Sequence, residues 1–146
     1  MHTDYEDDDL ELSTGTVATP DDKMLQTMIG YAVYYAETVI KDRWPEAEPH
    51  IMKDPCWAFK YAQDVIKGRW PEAEPHIMKD PQYAYWYARR IIKGRWPEAE
   101  PTIMENPRYA CWYAWLVING RWPEAESHIM KDPTTWGEYC KNFGIS

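Results

Sequence analysis

Between Lys79 and Gly94 the chain reads KDPQYAYWYARRIIKG, and Ala84, Tyr87, Ala88, Ile91 and Ile92 fall at i, i+3, i+4, i+7 and i+8. At helical pitch that spacing gathers all five on one side, so the segment is predicted to be an amphipathic helix with a core-facing stripe. Its ends agree. Asp80 suits the N-cap, Pro81 the first helical position, Lys93 the last turn and Gly94 a left-handed stop, for a helix of about 13 residues. The stripe appears earlier as Ala58, Tyr61, Ala62, Val65 and Ile66, and later as Ala110, Tyr113, Ala114, Val117 and Ile118, shifted by 26 residues each time. Its paired alanines let neighbouring helices approach closely.

Ahead of each stripe stands RWPEAE, beginning at Arg43, Arg69, Arg95 and Arg121. In WPEAEPHIM, Pro71 fits a first turn, and Glu72 and Glu74 lie where the positive end of a helix dipole favours acids. Pro75 follows as that turn ends, so this second helix should be short and partly irregular. Ile77 and Met78 can pack inward, and Trp70 is placed to act as a hydrophobic staple. The motif therefore reads as a structural joint. A rival is metal binding by Glu72 and His76, repeated as Glu46/His50 and Glu124/His128. Unit 95–120 has Thr102 at the His position, and two ligands make no closed site, so no metal is expected.

Residues 43–68 and 69–94 differ at 7 of 26 positions, the mark of recent internal duplication. Such a period predicts an all-α, short right-handed α-solenoid of helical hairpins built from 26-residue repeats. Units 43–68, 69–94, 95–120 and 121–146 follow a partial copy at Tyr31 to Asp42. Thr19-Pro20-Asp21-Asp22 predicts the start of one long opening helix of roughly 20 residues. In the last unit Trp136, Cys140 and Phe143 replace Ala110, Ala114 and Val117, closing the stack with bulk. Residues 19–146 thus form the repeat domain, and 1–18 a separate tail.

On the other side of the long helices the copies disagree. The sets are Cys56, Phe59, Lys60, Gln63, then Gln82, Tyr85, Trp86, Arg89, then Arg108, Cys111, Trp112, Trp115. Stacking aligns them into rows, Lys60 with Trp86 and Trp112, and Gln63 with Arg89 and Trp115. Differences concentrated on one side of a duplicated scaffold suit a partner-binding surface, with Phe59, Lys60, Tyr85, Trp86, Arg89, Trp112 and Trp115 as its residues. The competing reading is that these aromatics pack against neighbouring repeats or a dimer mate.

Charge changes the picture at one place. The net charge of -8 owes 6 acids to residues 1–12, namely Asp4, Glu6, Asp7, Asp8, Asp9 and Glu11. Taking these from the 24 acids of the chain leaves 18 against 16 bases, so the repeats are nearly neutral. The tail reads as a solvated, disordered extension, its rival being an arm that engages a basic partner or competes with nucleic acid. No apolar run approaches the roughly 18 residues of a membrane span, and no signal peptide is legible, so a cytoplasmic protein is expected. Cys56, Cys111 and Cys140 show no CxxC spacing and predict neither a disulfide framework nor a zinc site. Phosphate loops, nucleophile elbows and convergent acid–base groups are missing from the sequence, so neither an enzyme nor a cofactor is expected.

The phrase YAQDVIKGRWPEAE, Tyr61 to Glu74, carries the pattern YAxxVIKGRWPEAE. It resembles tandem 26-residue helical-repeat proteins of tailed bacteriophages and large DNA viruses, over about Tyr31 to Ser146. The resemblance implies a virus-encoded, non-enzymatic repeat protein that transfers no catalytic residue. It makes a host protein the expected partner, to be blocked or redirected, with antiviral defence factors one class. Two further readings stay open: a self-assembling structural protein joined through its aromatic face, and a single-stranded nucleic-acid binder that stacks bases on that ladder beside Arg89, Arg90 and Arg108. The nearly neutral repeats and acidic tail weigh against nucleic acid.

Overall fold

Long helices in side-by-side array alternate with short proline-rich ones to build an all-α repeat solenoid, with no strand among the described residues. The structure, a computed structural model, describes residues 28–146. The expected tail and the proposed helix start at Thr19 to Asp22 lie outside them. The first described helix, α1, runs Ile29–Tyr35 and continues as a π-helical turn, Ala36–Ile40. Met28, with φ −117° and ψ 47°, is not helical, so the single long opening helix does not extend back through it. A short α2, Glu48–Ile51, leads to α3, Pro55–Tyr61, with its π turn Ala62–Ile66. The pattern recurs as α4 (Glu74–Ile77) and α5 (Pro81–Tyr87, then Ala88–Ile92). It recurs again as α6 (Glu100–Ile103, after a 3-10 turn Pro97–Ala99) and α7 (Pro107–Tyr113, then Ala114–Ile118). The chain closes with α8, Pro123–Ile129, and α9, Pro133–Phe143.

Each long helix begins as its sequence dictates. The side chains of Asp54, Asp80 and Asn106 accept the backbone N–H groups two and three residues on, and proline follows each cap. At the start of α9 the pattern changes, because Asp132 accepts the Thr135 hydroxyl at 2.6 Å instead.

The stops depart from expectation. Lys67 and Lys93, with φ 61° and 62°, hold the left-handed conformation, as do Lys41 and Asn119, whereas Gly68, Gly94 and Gly120 do not. The cause is the π turn. Lys67 N–H reaches Ala62 O at 2.7 Å and Gly68 N–H reaches the same oxygen at 3.2 Å, which widens the final loop by one residue. In α9 the turn stays α-helical. Ile145 N–H bonds Cys140 O at 2.8 Å, and Gly144, φ 66°, takes the left-handed site where glycine is at ease. The π turn is thus one residue inserted into every long helix but the last.

The core follows the Ala-Tyr-Ala part of the stripe, while Ile91, Ile92 and their counterparts in the π turns are only partly buried. Ala58, Tyr61, Ala62, Ala84, Tyr87, Ala88, Ala110, Tyr113 and Ala114 are fully buried, with Ile51, Ile77, Ile103 and Ile129 of the short helices. Each long helix packs against the next long one and against the short helices on either side. Gly30 permits one unusual approach. A Cβ there would meet Trp57 Cζ2 at 2.8 Å, so the ring that replaces Tyr83 and Tyr109 of later copies is matched by an absent side chain.

The candidate partner-binding face

The RWPEAE motif comes first, because its four copies are the largest block of repeated chemistry. Arg69 donates from Nε to Glu74 Oε2 at 2.8 Å and from Nη2 to Oε1 at 2.9 Å. The Tyr87 hydroxyl donates to Glu74 Oε2 at 2.7 Å and accepts the Trp70 backbone N–H at 2.7 Å. The same clamp recurs as Arg43, Trp44, Glu48 and Tyr61, as Arg95, Trp96, Glu100 and Tyr113, and as Arg121, Trp122, Glu126 and Tyr139. Each closes the loop between two long helices.

Electrostatics follow the geometry. Burial alone would push the Glu48, Glu74 and Glu100 carboxyls up, but their arginine and tyrosine hydrogen bonds outweigh it and hold them below the ordinary carboxylate range. At Glu126 the Arg121 bond is the leading influence, in the same direction. Burial raises the tyrosine hydroxyls, that of Tyr139 to about 12, so all remain protonated donors.

The indoles of the motif pack across units. Trp70 lies 4.9 Å from the ring of Tyr61, Trp96 4.9 Å from Tyr87 and Trp122 4.9 Å from Tyr113. The joint reading therefore describes RWPEAE. Glu72, offered with His76 as a metal pair, is exposed, and no group of three or more His, Cys, Asp or Glu among the described residues is placed to hold a metal ion.

The variable side is carried by α3, α5 and α7, where the structure sorts the seven candidate residues into two kinds. Phe59 and Tyr85 fill the seams between helices and are only 7% and 1% exposed. Phe59 faces Tyr83 at 6.2 Å, and Tyr85 faces Tyr109 at 5.9 Å and Trp112 at 6.1 Å. The packing reading is correct for these two, since they touch the next repeat and offer a partner almost no area. Trp86 and Trp112 are half-buried, Lys60 and Arg89 exposed, and Trp115 is 46% exposed. Cys111 shares the seam position of Phe59 and Tyr85, and burial pushes its thiol up to about 11, away from reactivity.

One neighbour joins the set. The Arg90 guanidinium lies 4.6 Å from the Trp86 ring centre, nearer than Arg89 at 5.7 Å, while Arg89 Nη1 donates to the Tyr85 hydroxyl at 3.2 Å. Trp86 is thus flanked by two cations, each in favourable contact with its π-face. Position 90 is Asp64 in one flanking copy and Leu116 in the other, and its i+4 spacing from Trp86 was the available signal. A shallow hollow of about 180 Å³ between α3 and α5 is lined by Gln63, Lys67, Arg90 and Lys93.

No helix among the described residues is long and apolar enough to cross a membrane. Against models of protein families, curated proteins and solved structures, the chain has no match, so its reading rests on its own residues.

Proposed function

We propose that the chain is a non-enzymatic repeat module that binds another protein through the face of α3, α5 and α7. The observation that carries this reading is Trp115, a tryptophan 46% exposed on the same variable side that carries the half-buried Trp86 and Trp112. Tryptophan and arginine anchors dominate protein interfaces, where desolvating a large ring against a pocket gives most of the affinity. Across units 43–68, 69–94 and 95–120 the joint and the stripe are kept, while the outer positions differ, Lys60 against Trp86 and Trp112 and Gln63 against Arg89 and Trp115. The likeness of YAxxVIKGRWPEAE to phage and viral repeat proteins makes the partner a host protein, inhibited or redirected by occupation of a surface, with antiviral defence factors as the class to try first. Binding would take place in the host cytoplasm.

The test uses Trp115→Ala, because that ring is not a seam filler and its loss should leave the fold intact. Wild-type and variant protein are immobilised and exposed to host-cell lysate. Proteins retained by the wild type and lost by Trp115→Ala, with an unchanged melting temperature, are the expected result. Identical capture by both, and by a Trp86→Ala/Trp112→Ala double variant, would refute the face. Light scattering over a range of concentrations addresses the homodimer: a stable dimer dispersed by Trp115→Ala would replace the foreign partner with a second copy.

A further inference from the structure

We propose that the acidic segment at residues 4–12 of this same chain docks on the cationic-aromatic face and competes there with the partner, an inference that rests on reading that face as a binding surface. The two are complementary in charge and in apolar content. The variable positions of α3, α5 and α7 present Lys60, Arg89, Arg90 and Arg108 against the single acid Asp64, which already accepts a hydrogen bond from Gln63 at 3.2 Å. The segment DYEDDDLEL places six carboxylates around Tyr5, Leu10 and Leu12, so it offers both counter-charges for the arginines and apolar groups for the exposed Trp115. An aromatic bracketed by guanidinium groups suits such a mixed ligand, since each carboxylate can pair with an arginine while an apolar side chain covers the ring.

Connectivity allows docking within one molecule. Residues 13–27 separate the segment from Met28, a length of chain whose reach is at most about 50 Å. The axis of α5 lies two helix spacings from α1, about 16–20 Å in all. A tether of that length holds the segment at an effective concentration of order millimolar, so even an intrinsic Kd near 1 mM keeps the face covered about half the time. A partner then meets a half-available site, and its apparent Kd is about twofold weaker than that for the open face.

The experiment uses full-length protein in which the six acids are changed to Asn and Gln. The readout is the indole N–H resonances of Trp86, Trp112 and Trp115 at low salt. Different positions in wild type and neutralised protein are expected, with the wild type converging on the neutralised positions as salt is raised. A synthetic peptide of residues 1–14 added to the neutralised protein should restore the wild-type positions, and should fail to do so when Arg89 and Arg90 are also changed to Ser. Coincident resonances at low salt would overturn the proposal. A difference that disappears on dilution would overturn docking within one molecule. If the indoles ignore the tail while Trp115→Ala still loses its captured protein, this inference falls and the binding face stands. Loss of neither would remove both.

Discussion

Removing one oxygen from the centre of a clamp gives the most direct measure of what the repeated motif does. In Tyr87→Phe the ring stays in place and only the hydroxyl is lost. That hydroxyl accepts the Trp70 N–H and donates to Glu74 Oε2, each at 2.7 Å, in a residue with no exposed surface. An unpaired buried donor costs about 1–3 kcal/mol, and a hydrogen bond to a charged group contributes about 1.5–3 kcal/mol. The two effects share one oxygen, and Glu74 keeps both Arg69 bonds, so the combined loss should be about 2–4 kcal/mol rather than their full sum. That is a large part of the ~5–15 kcal/mol that stabilises a typical domain. Urea unfolding followed by far-ultraviolet circular dichroism measures it, with Tyr34→Phe as the control, since Tyr34 is 59% exposed and outside the clamps. A double-mutant cycle with Glu74→Gln should show coupling between the positions. Equal stability of Tyr87→Phe and Tyr34→Phe, within about 0.5 kcal/mol, would mean that the clamp only accompanies packing and does not hold the loop.

The four depressed carboxyls predict acid sensitivity: a folded-state pKa below the unfolded one gives stability that is complete above the ordinary Glu value of about 4.3 and lost as pH falls through the folded value. Glu74→Gln should therefore be less stable than wild type at neutral pH, with the gap narrowing in acid, as pH-dependent urea titrations would show. At the stops, Lys93→Gly should stabilise by up to about 1 kcal/mol by relieving a left-handed lysine, while Gly94→Ala should change stability by less than about 0.5 kcal/mol; the reverse order would return the stop to the glycine. Ala84→Leu or Ala88→Leu should overpack the contact between long helices and cost about 1–3 kcal/mol in the same assay, and a neutral result would mean that the alanines do not set the spacing.

The stripe was legible because burial at helical spacing is written directly in residue type, and the Asp-Pro and Asn-Pro starts because capping is local. The clamp was not. Arg69 and Glu74 are five residues apart, a spacing that faces nothing on a regular helix, and their meeting depends on the irregular turn at Trp70 and Pro71. Tyr87 was placed in the stripe for its ring, while its hydroxyl role depends on a residue 17 positions away. The stop was misplaced by one residue because Lys-Gly invites the glycine to be left-handed, and nothing in the letters announces a π turn. Among the candidate site residues, alternation of copies separated the variable side from the stripe but could not divide seam from surface. Phe59 and Tyr85 lie one residue before Lys60 and Trp86, and the turn of about 100° between successive helical positions carries them into the neighbouring helix.

The clamps also decide how such an array can change in length. Arg69, Trp70, Glu74 and Tyr87 all belong to residues 69–94, so a segment copied from one RWPEAE to the next carries a complete set of polar partners with it. Among the contacts that join it to its neighbours is a repeated ring pair, Trp70 on Tyr61 before it and Trp96 on Tyr87 after it, and every copy offers the same two halves. A unit gained or lost in that frame leaves no orphaned charge and restores the Trp-on-Tyr pair, leaving only the outer seam at Phe59 and Tyr85 to repack. Copy number is thus free to drift while the outer residues diversify one helix at a time, giving a lineage a means of lengthening its surface without redesigning its interior.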